Sequence, residues 1–204
     1  MKNFNLLLAG ICLLAAVSCN EPEKEENQMN EVIQTIMSRR SIRSYKAEPV
    51  GRDTLNTILE CGINAPNGQN KQSWEVRVVD NPALLDEMLK TMGAAHEGMP
   101  FAKECFRGAP VMVFIARDTT YPFSAYDCGL MAQNIMLSAT SLGVGSICLG
   151  SPVHFLTDNE LCKPYVERLG FSKDYELCLC VGLGYANEAP EAKPRETSKI
   201  KFVE

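Results

Sequence analysis

The stretch SAYDCGLMAQNIMLSATSLGVGSICLG, residues 124–150, decides the fold of this chain. From Ser124 to Leu142 it contains no proline and one glycine, Gly129, and apolar side chains occur nearly all around the helical period. This pattern predicts a long helix buried at the centre of the domain. SICLG, residues 146–150, then predicts a short strand that follows a glycine-rich turn.

The glycines of GVGSIC, residues 143–148, raise the alternative of a dinucleotide-binding fingerprint. That fingerprint requires a strand before the glycines and a helix that begins within them. Here a long helix precedes the glycines and a strand follows them. We therefore interpret the segment as a helix-to-strand turn in which glycine adopts positive φ.

Helices and strands alternate on both sides of this stretch. Helices are predicted after an Asn30 cap, from Asp53 to a closing Gly62, after Asn81-Pro82, and from Thr157/Asp158 under the restriction of Pro164. Strands are predicted at 74–79, 110–116 and 175–185, with a long loop at 93–108 and an extended tail from Ala192. A chain of 204 residues is the size of one domain, and this order of elements predicts a mixed α/β or α+β architecture.

The first 29 residues differ in character from the rest. LLLAGICLLAAV, residues 6–17, is too short to span a bilayer stably but suits a signal peptide, and AVSC, which ends at Cys19, resembles a bacterial lipobox. We predict a lipoprotein signal peptide at 1–18, lipidation of Cys19, and an acidic tether at 19–29. The protein would then be anchored to a membrane in the cell envelope, facing the periplasm or the cell surface. A secretory signal cleaved elsewhere and an uncleaved anchor are the open alternatives.

Composition and residue types exclude several function classes. The formal net charge of -5 disfavours nucleic acid as a partner. Catalytic triads and zinc sites need histidine, and His96 and His154 have neither GxSxG-type nor HExxH surroundings, so no metal site is predicted. The body cysteines form no CxxC pair and no disulfide framework, which indicates buried apolar side chains, although one disulfide stays open.

Residues 38–45, SRRSIRSY, form the strongest candidate site. Arg39, Arg40 and Arg43 alternate with serine hydroxyls, and guanidinium groups match phosphate oxygens with paired hydrogen bonds. The alternative is a solvated basic turn. A second basic element, Lys193 and Arg195, follows the last long strand and could converge on the same anion.

Four segments together resemble the FMN-dependent nitroreductase family. They are RRSIRSY (39–45), NAPNGQNKQSW (64–74), AYDCGLMAQNIMLSATSLGVGSICLG (125–150) and VGLGYANEAPEAKPR (181–195), in the family's order and spacing. The resemblance covers roughly residues 30–200 and implies an FMN-binding domain at 30–204. It also implies a central, mostly antiparallel sheet flanked by helices, and a homodimer with FMN at the subunit interface. The C-terminal segment would extend onto the partner.

The resemblance also implies roles for single residues. Arg39 and Ser41, with Arg40 alongside, and the later Lys193 and Arg195 would grip the FMN phosphate. Arg43 would lie beside N1 and O2 of the flavin, where a positive charge raises the reduction potential.

Two further segments are assigned to the flavin by the resemblance. Pro66, Asn67, Gly68 and Asn70 would reach the partner's flavin, and the backbone near Leu149 and Gly150 would meet N5. No catalytic side chain is assigned, because the flavin carries the chemistry. The chain has Gln72-Ser73-Trp74 where members often have Gln-Pro-Trp.

The resemblance implies a reaction class. NAD(P)H or another reduced donor would deliver hydride to FMN, and a small electrophilic acceptor such as a nitroaromatic or a quinone would take the electrons. Because nicotinamide cofactors are kept in the cytoplasm, the lipobox leaves the donor open. The alternative function is a flavin-bearing electron-transfer or binding lipoprotein that turns over no small molecule.

Overall fold

The computed structural model describes residues 30–204. The predicted signal peptide (1–18), the lipidation residue Cys19 and the tether (19–29) lie outside the described residues. Contacts within the described part of the chain define one compact unit, Glu31–Glu204. Across residues 30–204, none of the helices has the length and apolar character needed to cross a membrane.

Helices and strands alternate along the described residues, largely as predicted. The helices are α1 (Glu31–Ser38), α2 (Arg52–Ile63), α3 (Pro82–Ala95), α4 (Ser124–Ser141), α5 (Ser151–Thr157) and α6 (Lys163–Leu169). The strands are β1 (Trp74–Val79), β2 (Val111–Asp118), β3 (Gly145–Leu149) and β4 (Tyr175–Gly184). Short 3-10 turns lie at Gly68–Asn70, Pro100–Glu104, Glu160–Cys162 and Thr197–Lys199.

The four strands form one sheet in the order β1-β2-β4-β3, and all neighbouring strands are antiparallel. The predicted antiparallel sheet flanked by helices is therefore confirmed. Residues 111–116 of the central strand β2 are all apolar and buried, because helices cover both faces of the sheet there. Met112 and Phe114 pack into one hydrophobic cluster, whereas Val113 and Ile115 pack into the other.

The second of these clusters lies under α4 and α2. Both helices differ from prediction, α4 in its burial and α2 in its end. Met131 and Ile135 of α4 are buried, but Leu130 and Leu142 are each 45% exposed, so the helix is not buried all round. Gly62 was predicted to end α2 and instead lies within it. A Cβ at Gly62 would come within 2.6 Å of Ile135, so this glycine allows α2 and α4 to pack closely.

Two further segments differ from prediction. The predicted loop at 93–108 begins later, because α3 continues through Gly93 to Ala95. The predicted helix start at Thr157/Asp158 is wrong, since Thr157 ends α5. Asn159 caps the next turn by accepting a hydrogen bond from the Leu161 backbone N–H (3.0 Å). The predicted N-cap Asn81 is confirmed, with its side-chain oxygen 3.0 Å from the Ala83 nitrogen.

Candidate cofactor-binding site

The arginine loop, residues 39–43, leaves the end of α1 and docks against the edge strand β3. Ser41 forms a parallel bridge with Ser146, and the Ile42 N–H donates to the Ser146 carbonyl at 3.0 Å. The Ile42 side chain is buried, which fixes the loop from below. The backbone of the loop is therefore held in one extended path along the sheet edge.

The segment after β4 runs back alongside this loop. The Lys46 N–H donates to the Tyr185 carbonyl (2.8 Å), and the Asn187 N–H donates to the Ser44 carbonyl (2.9 Å). This pairing carries residues 190–195 toward the arginines. A cavity of about 360 Å³ results. It is lined by the five residues predicted to hold the phosphate and by Arg43, which was predicted to lie beside the flavin ring: Arg39, Arg40, Ser41, Lys193, Arg195 and Arg43.

The cationic side chains of this cavity have few partners within the protein. Arg40 Nη1 donates to the Met37 carbonyl at 2.7 Å, and Arg43 Nη1 donates to the Ser41 carbonyl at 3.0 Å. Among residues 30–204, the five cations of the cavity form no ion pair. Glu191 is the one carboxylate among the described lining residues and faces five cations, so the cavity has a strong positive charge.

Arg39 carries the clearest sign of an anion site. Its Nη1 atom is buried and has no hydrogen-bond partner. Leaving a buried charged donor unsatisfied is costly, by more than the roughly 1–3 kcal/mol of a neutral group, and an anion seated beside it would remove that cost. The donor set thus fits a phosphate group.

Glu188 holds the backbone of the arginine loop in place. It was not predicted from the sequence. Its carboxylate accepts hydrogen bonds from the backbone N–H groups of Arg43 and Ser44, the latter at 3.1 Å. Burial raises the pKa of Tyr45 above its usual range, and the Glu188 charge acts in the same direction. Tyr45 therefore keeps its proton and donates to the Ile42 carbonyl at 2.9 Å.

The second predicted loop, residues 66–72, adopts an unusual backbone. Gln69, Asn70 and Gln72 all have positive φ, at 56°, 54° and 50°. Side chains other than glycine adopt this left-handed region rarely, and such residues persist only where the surroundings hold them. The Asn67 side-chain oxygen accepts from the Gln72 N–H at 2.9 Å and closes the loop on itself.

Asp127 holds this loop from α4, and sequence reasoning missed it. The residue is only 4% exposed; its Oδ1 accepts from the Gly68 N–H at 3.1 Å and its Oδ2 from the Ser73 hydroxyl at 2.9 Å. Ser73 occupies the position where the family often has proline, which has no hydroxyl to donate. Asp127 is the one charged residue of α4, and that was the signal that could have identified it.

Tyr121 packs against the same loop. A Cβ at Gly68 would lie 2.0 Å from the Tyr121 hydroxyl oxygen, so only glycine fits there without movement. The ammonium group of Lys71 lies 4.8 Å from the centre of the Tyr121 ring. The loop is thus clamped between α4 and the segment that precedes it.

The end of β3 is the third predicted contact. Leu149 is buried in the core, and nothing lies within 4 Å of the space that a Cβ at Gly150 would occupy. The neighbouring Cys148 is exposed as a residue, but partial burial of its thiol raises the thiol pKa, and the Arg39 charge opposes that shift. Arg39 therefore lies close to this end of β3.

Within one chain the three contacts do not share a cavity. Pro66, Asn67, Gly68, Asn70, Leu149 and Gly150 are absent from the lining of the arginine cavity. Their assignment to a flavin, and that of loop 66–72 to a partner's flavin, stays a prediction. Among residues 30–204, no three His, Cys, Asp or Glu side chains are placed to hold a metal ion.

An antiparallel sheet covered by helices, with a cationic cavity at one edge, defines an α+β protein equipped to bind a phosphate-bearing ligand. The family model described as "Nitroreductase family" matches residues 36–185. The chain belongs to this family, as the sequence predicted.

Solved structures support the same conclusion. A nitroreductase with bound FMN from Desulfitobacterium hafniense DCB-2 is 34% identical, with a TM-score of 0.79 over 86% of this chain and 100% of that chain. A second nitroreductase with bound FMN, from Bacteroides fragilis NCTC 9343, is 29% identical, with a TM-score of 0.77 over 86% and 100% of the two chains.

One sequence relative is an oxidoreductase named for a nicotinamide donor. The NADPH-flavin oxidoreductase of Vibrio harveyi is 28% identical over 175 residues, which cover 82% of this chain and 70% of that protein.

Proposed function

We propose that the protein transfers reducing equivalents from a nicotinamide donor, through FMN, to a small electrophilic acceptor such as a nitroaromatic or a quinone. The chain is an enzyme of the FMN-dependent oxidoreductase class, and FMN is its cofactor, as the sequence predicted. Two solved relatives whose full length aligns with this chain carry FMN. The observation in this chain that carries the proposal is the cationic cavity with its unpartnered Arg39 Nη1.

When bound, FMN supplies a ring that accepts hydride from the donor and passes electrons to the acceptor. The residues of the chain then have binding and positioning roles. Arg39, Lys193 and Arg195 would hold the phosphate with charge-assisted hydrogen bonds, while Ser41 would add a hydroxyl donor. Arg40 is tied to backbone carbonyls and would contribute mainly charge.

Arg43 would have a role different from that of the phosphate-binding residues, because contacts within the protein already fix its position. Its guanidinium group donates to the Ser41 carbonyl, and its backbone N–H donates to Glu188. A fixed positive charge beside the flavin ring would raise the reduction potential of the ring. The cavity would thus combine a phosphate clamp with a potential-setting cation.

We further propose a homodimer with FMN at the subunit interface. Large apolar side chains are exposed on α1, on the outer side of α4 and along the tail, at Val32, Ile33, Ile36, Met37, Leu130, Leu142, Ile200, Phe202 and Val203. Exposed apolar surface of this extent is typical of an interaction face. The tail would extend onto the partner, and loop 66–72 would reach the partner's FMN.

The sequence supports one further proposal and a second candidate function. Cleavage after residue 18 and lipidation of Cys19 would anchor the enzyme in the cell envelope, facing the periplasm or the cell surface. Because nicotinamide donors are cytoplasmic, the anchored protein could instead be an electron-transfer lipoprotein that receives electrons from a protein partner. Turnover with small donors and acceptors distinguishes the two functions.

The test begins with the absorption spectrum of the purified full-length protein, followed by anaerobic titration with NADPH and with NADH. We expect a flavin spectrum that bleaches with one donor, and steady-state turnover of a nitroaromatic or a benzoquinone at about 1–10³ s⁻¹. Bleaching by dithionite but by neither nicotinamide would support the electron-transfer alternative. Failure to retain or rebind FMN would overturn both functions.

A further inference from the structure

The pairing of β2 with β4 contains an irregularity at a cysteine. Ile115 pairs with Leu179 and Ala116 pairs with Leu177, so Cys178 is an extra residue in a β-bulge. Bulges interrupt the ladder locally and turn a side chain away from its regular direction. Cys178 is half-buried and packs against the hydrophobic cluster beneath α4.

A second cysteine lies at the same bulge from the side of α4. Cys128 is completely buried, and its thiol donates to the carbonyl of Ala116 at 3.6 Å. Ala116 is the β2 residue that flanks the bulge. Cys178 packs against the cluster that contains Cys128, and each of the two thiols shifts the pKa of the other. Two thiols from elements distant in sequence therefore meet at one point of the fold.

The pKa values of the two thiols are shifted in opposite directions. The interaction with Cys178, followed by burial, raises the pKa of Cys128. The interaction with Cys128, opposed by burial and assisted by the Arg117 guanidinium, lowers the pKa of Cys178 below its usual range. Burial instead raises the pKa of the thiols of Cys105, Cys148, Cys162 and Cys180. A thiolate beside a protonated thiol is the arrangement from which disulfides form.

We propose that Cys128 and Cys178 form a redox-active dithiol, which a hydroperoxide converts into a disulfide between α4 and β4. The Cys178 thiolate attacks one peroxide oxygen, the O–O bond breaks, and the departing oxygen leaves as water, which gives a sulfenic acid. The Cys128 thiol then attacks that sulfur, the S–O bond breaks, and a second water leaves. Two thiols and one hydrogen peroxide thus yield one disulfide and two waters.

This modification site is independent of the proposed function, because neither cysteine lines the arginine cavity. Its position can still affect the site, since Cys128 directly follows Asp127, which holds loop 66–72. Exposed Cys61 on α2 and exposed Cys148 on β3 provide matched control thiols.

The test uses the full-length protein, reduced, freed of reductant and treated with increasing hydrogen peroxide, with the remaining thiols blocked by iodoacetamide. Non-reducing peptide mapping should show one linkage, between Cys128 and Cys178, that dithiothreitol reverses. The linkage should disappear in Cys178→Ser and persist in Cys61→Ser and Cys148→Ser. Because the disulfide joins residues distant in sequence, Tm should rise by roughly 4–16 °C on oxidation of the wild type.

Several outcomes would overturn the proposal. One is a peptide map in which Cys128 and Cys178 are both still alkylated at peroxide concentrations that oxidise Cys61. Another is a disulfide that involves a different cysteine. A third is a sulfinic acid at Cys178 while Cys128 remains a free thiol. The alkylation rate of Cys178 against pH is a second measurement that does not depend on any variant folding. Its midpoint should lie below the usual cysteine pKa of roughly 8.5.

Discussion

The arginine loop, residues 39–43, and loop 66–72 are both assigned to the cofactor, yet they are built in opposite ways. The backbone of the arginine loop is fixed by hydrogen bonds, but its side chains have few partners within the described part of the protein, and the buried Arg39 Nη1 has none. Loop 66–72 has backbone N–H groups paired within the protein, that of Gly68 to Asp127 and that of Gln72 to Asn67. We expect a ligand to complete the first loop, whereas the second is held by contacts within the protein. Substitutions should therefore affect ligand binding in one loop and stability in the other.

The largest effect is expected for Asp127→Ala. The change removes a buried acceptor and leaves the donors of Gly68 and Ser73 unpaired. We expect the free energy of unfolding to fall by about 3–5 kcal/mol, measured by urea titration at a fixed FMN concentration. Asp86→Ala is the control, because Asp86 is exposed and pairs only with exposed Lys90, so it should change stability by less than about 0.5 kcal/mol. Equal losses in the two variants would show that Asp127 is not what holds the loop.

Arg39→Ala should produce the next largest effect, on binding rather than on stability. Loss of a charge-assisted hydrogen bond to the phosphate should weaken FMN binding by roughly 30-fold or more, about 2 kcal/mol. Flavin fluorescence quenching on titration of the FMN-free protein measures this change. Arg52→Ala is the matched control, since Arg52 is 77% exposed and pairs with Asp80 on the surface. Unchanged FMN affinity in Arg39→Ala would remove the phosphate assignment.

Gly68→Ala sharpens the comparison within loop 66–72. The added methyl would meet the Tyr121 hydroxyl, so the loop or the ring must shift, at a cost of about 1–3 kcal/mol in the free energy of unfolding. Gly51→Ala is the control, because nothing lies within 4 Å of a Cβ there. The double variant with Tyr121→Phe should recover part of the loss. If it recovers nothing, the strain arises elsewhere in the loop.

Arg43→Ala should give the smallest effect and the most diagnostic one. Removing the cation should lower the reduction potential of the bound flavin by about 30 mV, equivalent to about 1.4 kcal/mol for two electrons. Spectroelectrochemical titration measures the potential, with Arg40→Ala as the control that should move it less. If the potential is unchanged in Arg43→Ala, the whole cluster acts only as a clamp.

The sequence predicted much of the fold because most elements have a local cause. The alternation of WEVRVV gave the bounds of β1, residues 74–79, and the Asn81-Pro82 pair gave the start of α3. The glycine turn between α4 and β3 is also local, and Gly143 has the expected positive φ of 73°. Prediction failed at α5, where a short helix begins without a side-chain cap. It also failed at Gly62, because this glycine is required by close packing against Ile135 of α4 and does not mark the end of α2.

The candidate site divides in the same way. The arginine cluster and the Lys193–Arg195 pair could be predicted because several cations close together in an acidic chain are a local pattern. Their convergence on one cavity could not be derived from spacing, since it depends on the pairing of the segment after β4 with residues 44–46. The partners of Asp127 and Glu188 could not be predicted, because each carboxylate accepts hydrogen bonds from groups far away in sequence.

By itself, the sequence determined the helix and strand pattern, the family, and the positive charges that await an anion. These features arise from the order of neighbouring residues, which sets periodicity, turn chemistry and local charge. Only the tertiary structure decided which donors remain unpaired, which buried carboxylate holds loop 66–72, and which two of the body cysteines meet at a β-bulge. Those features depend on contacts between distant segments, and packing, rather than local preference, determines which groups are brought together.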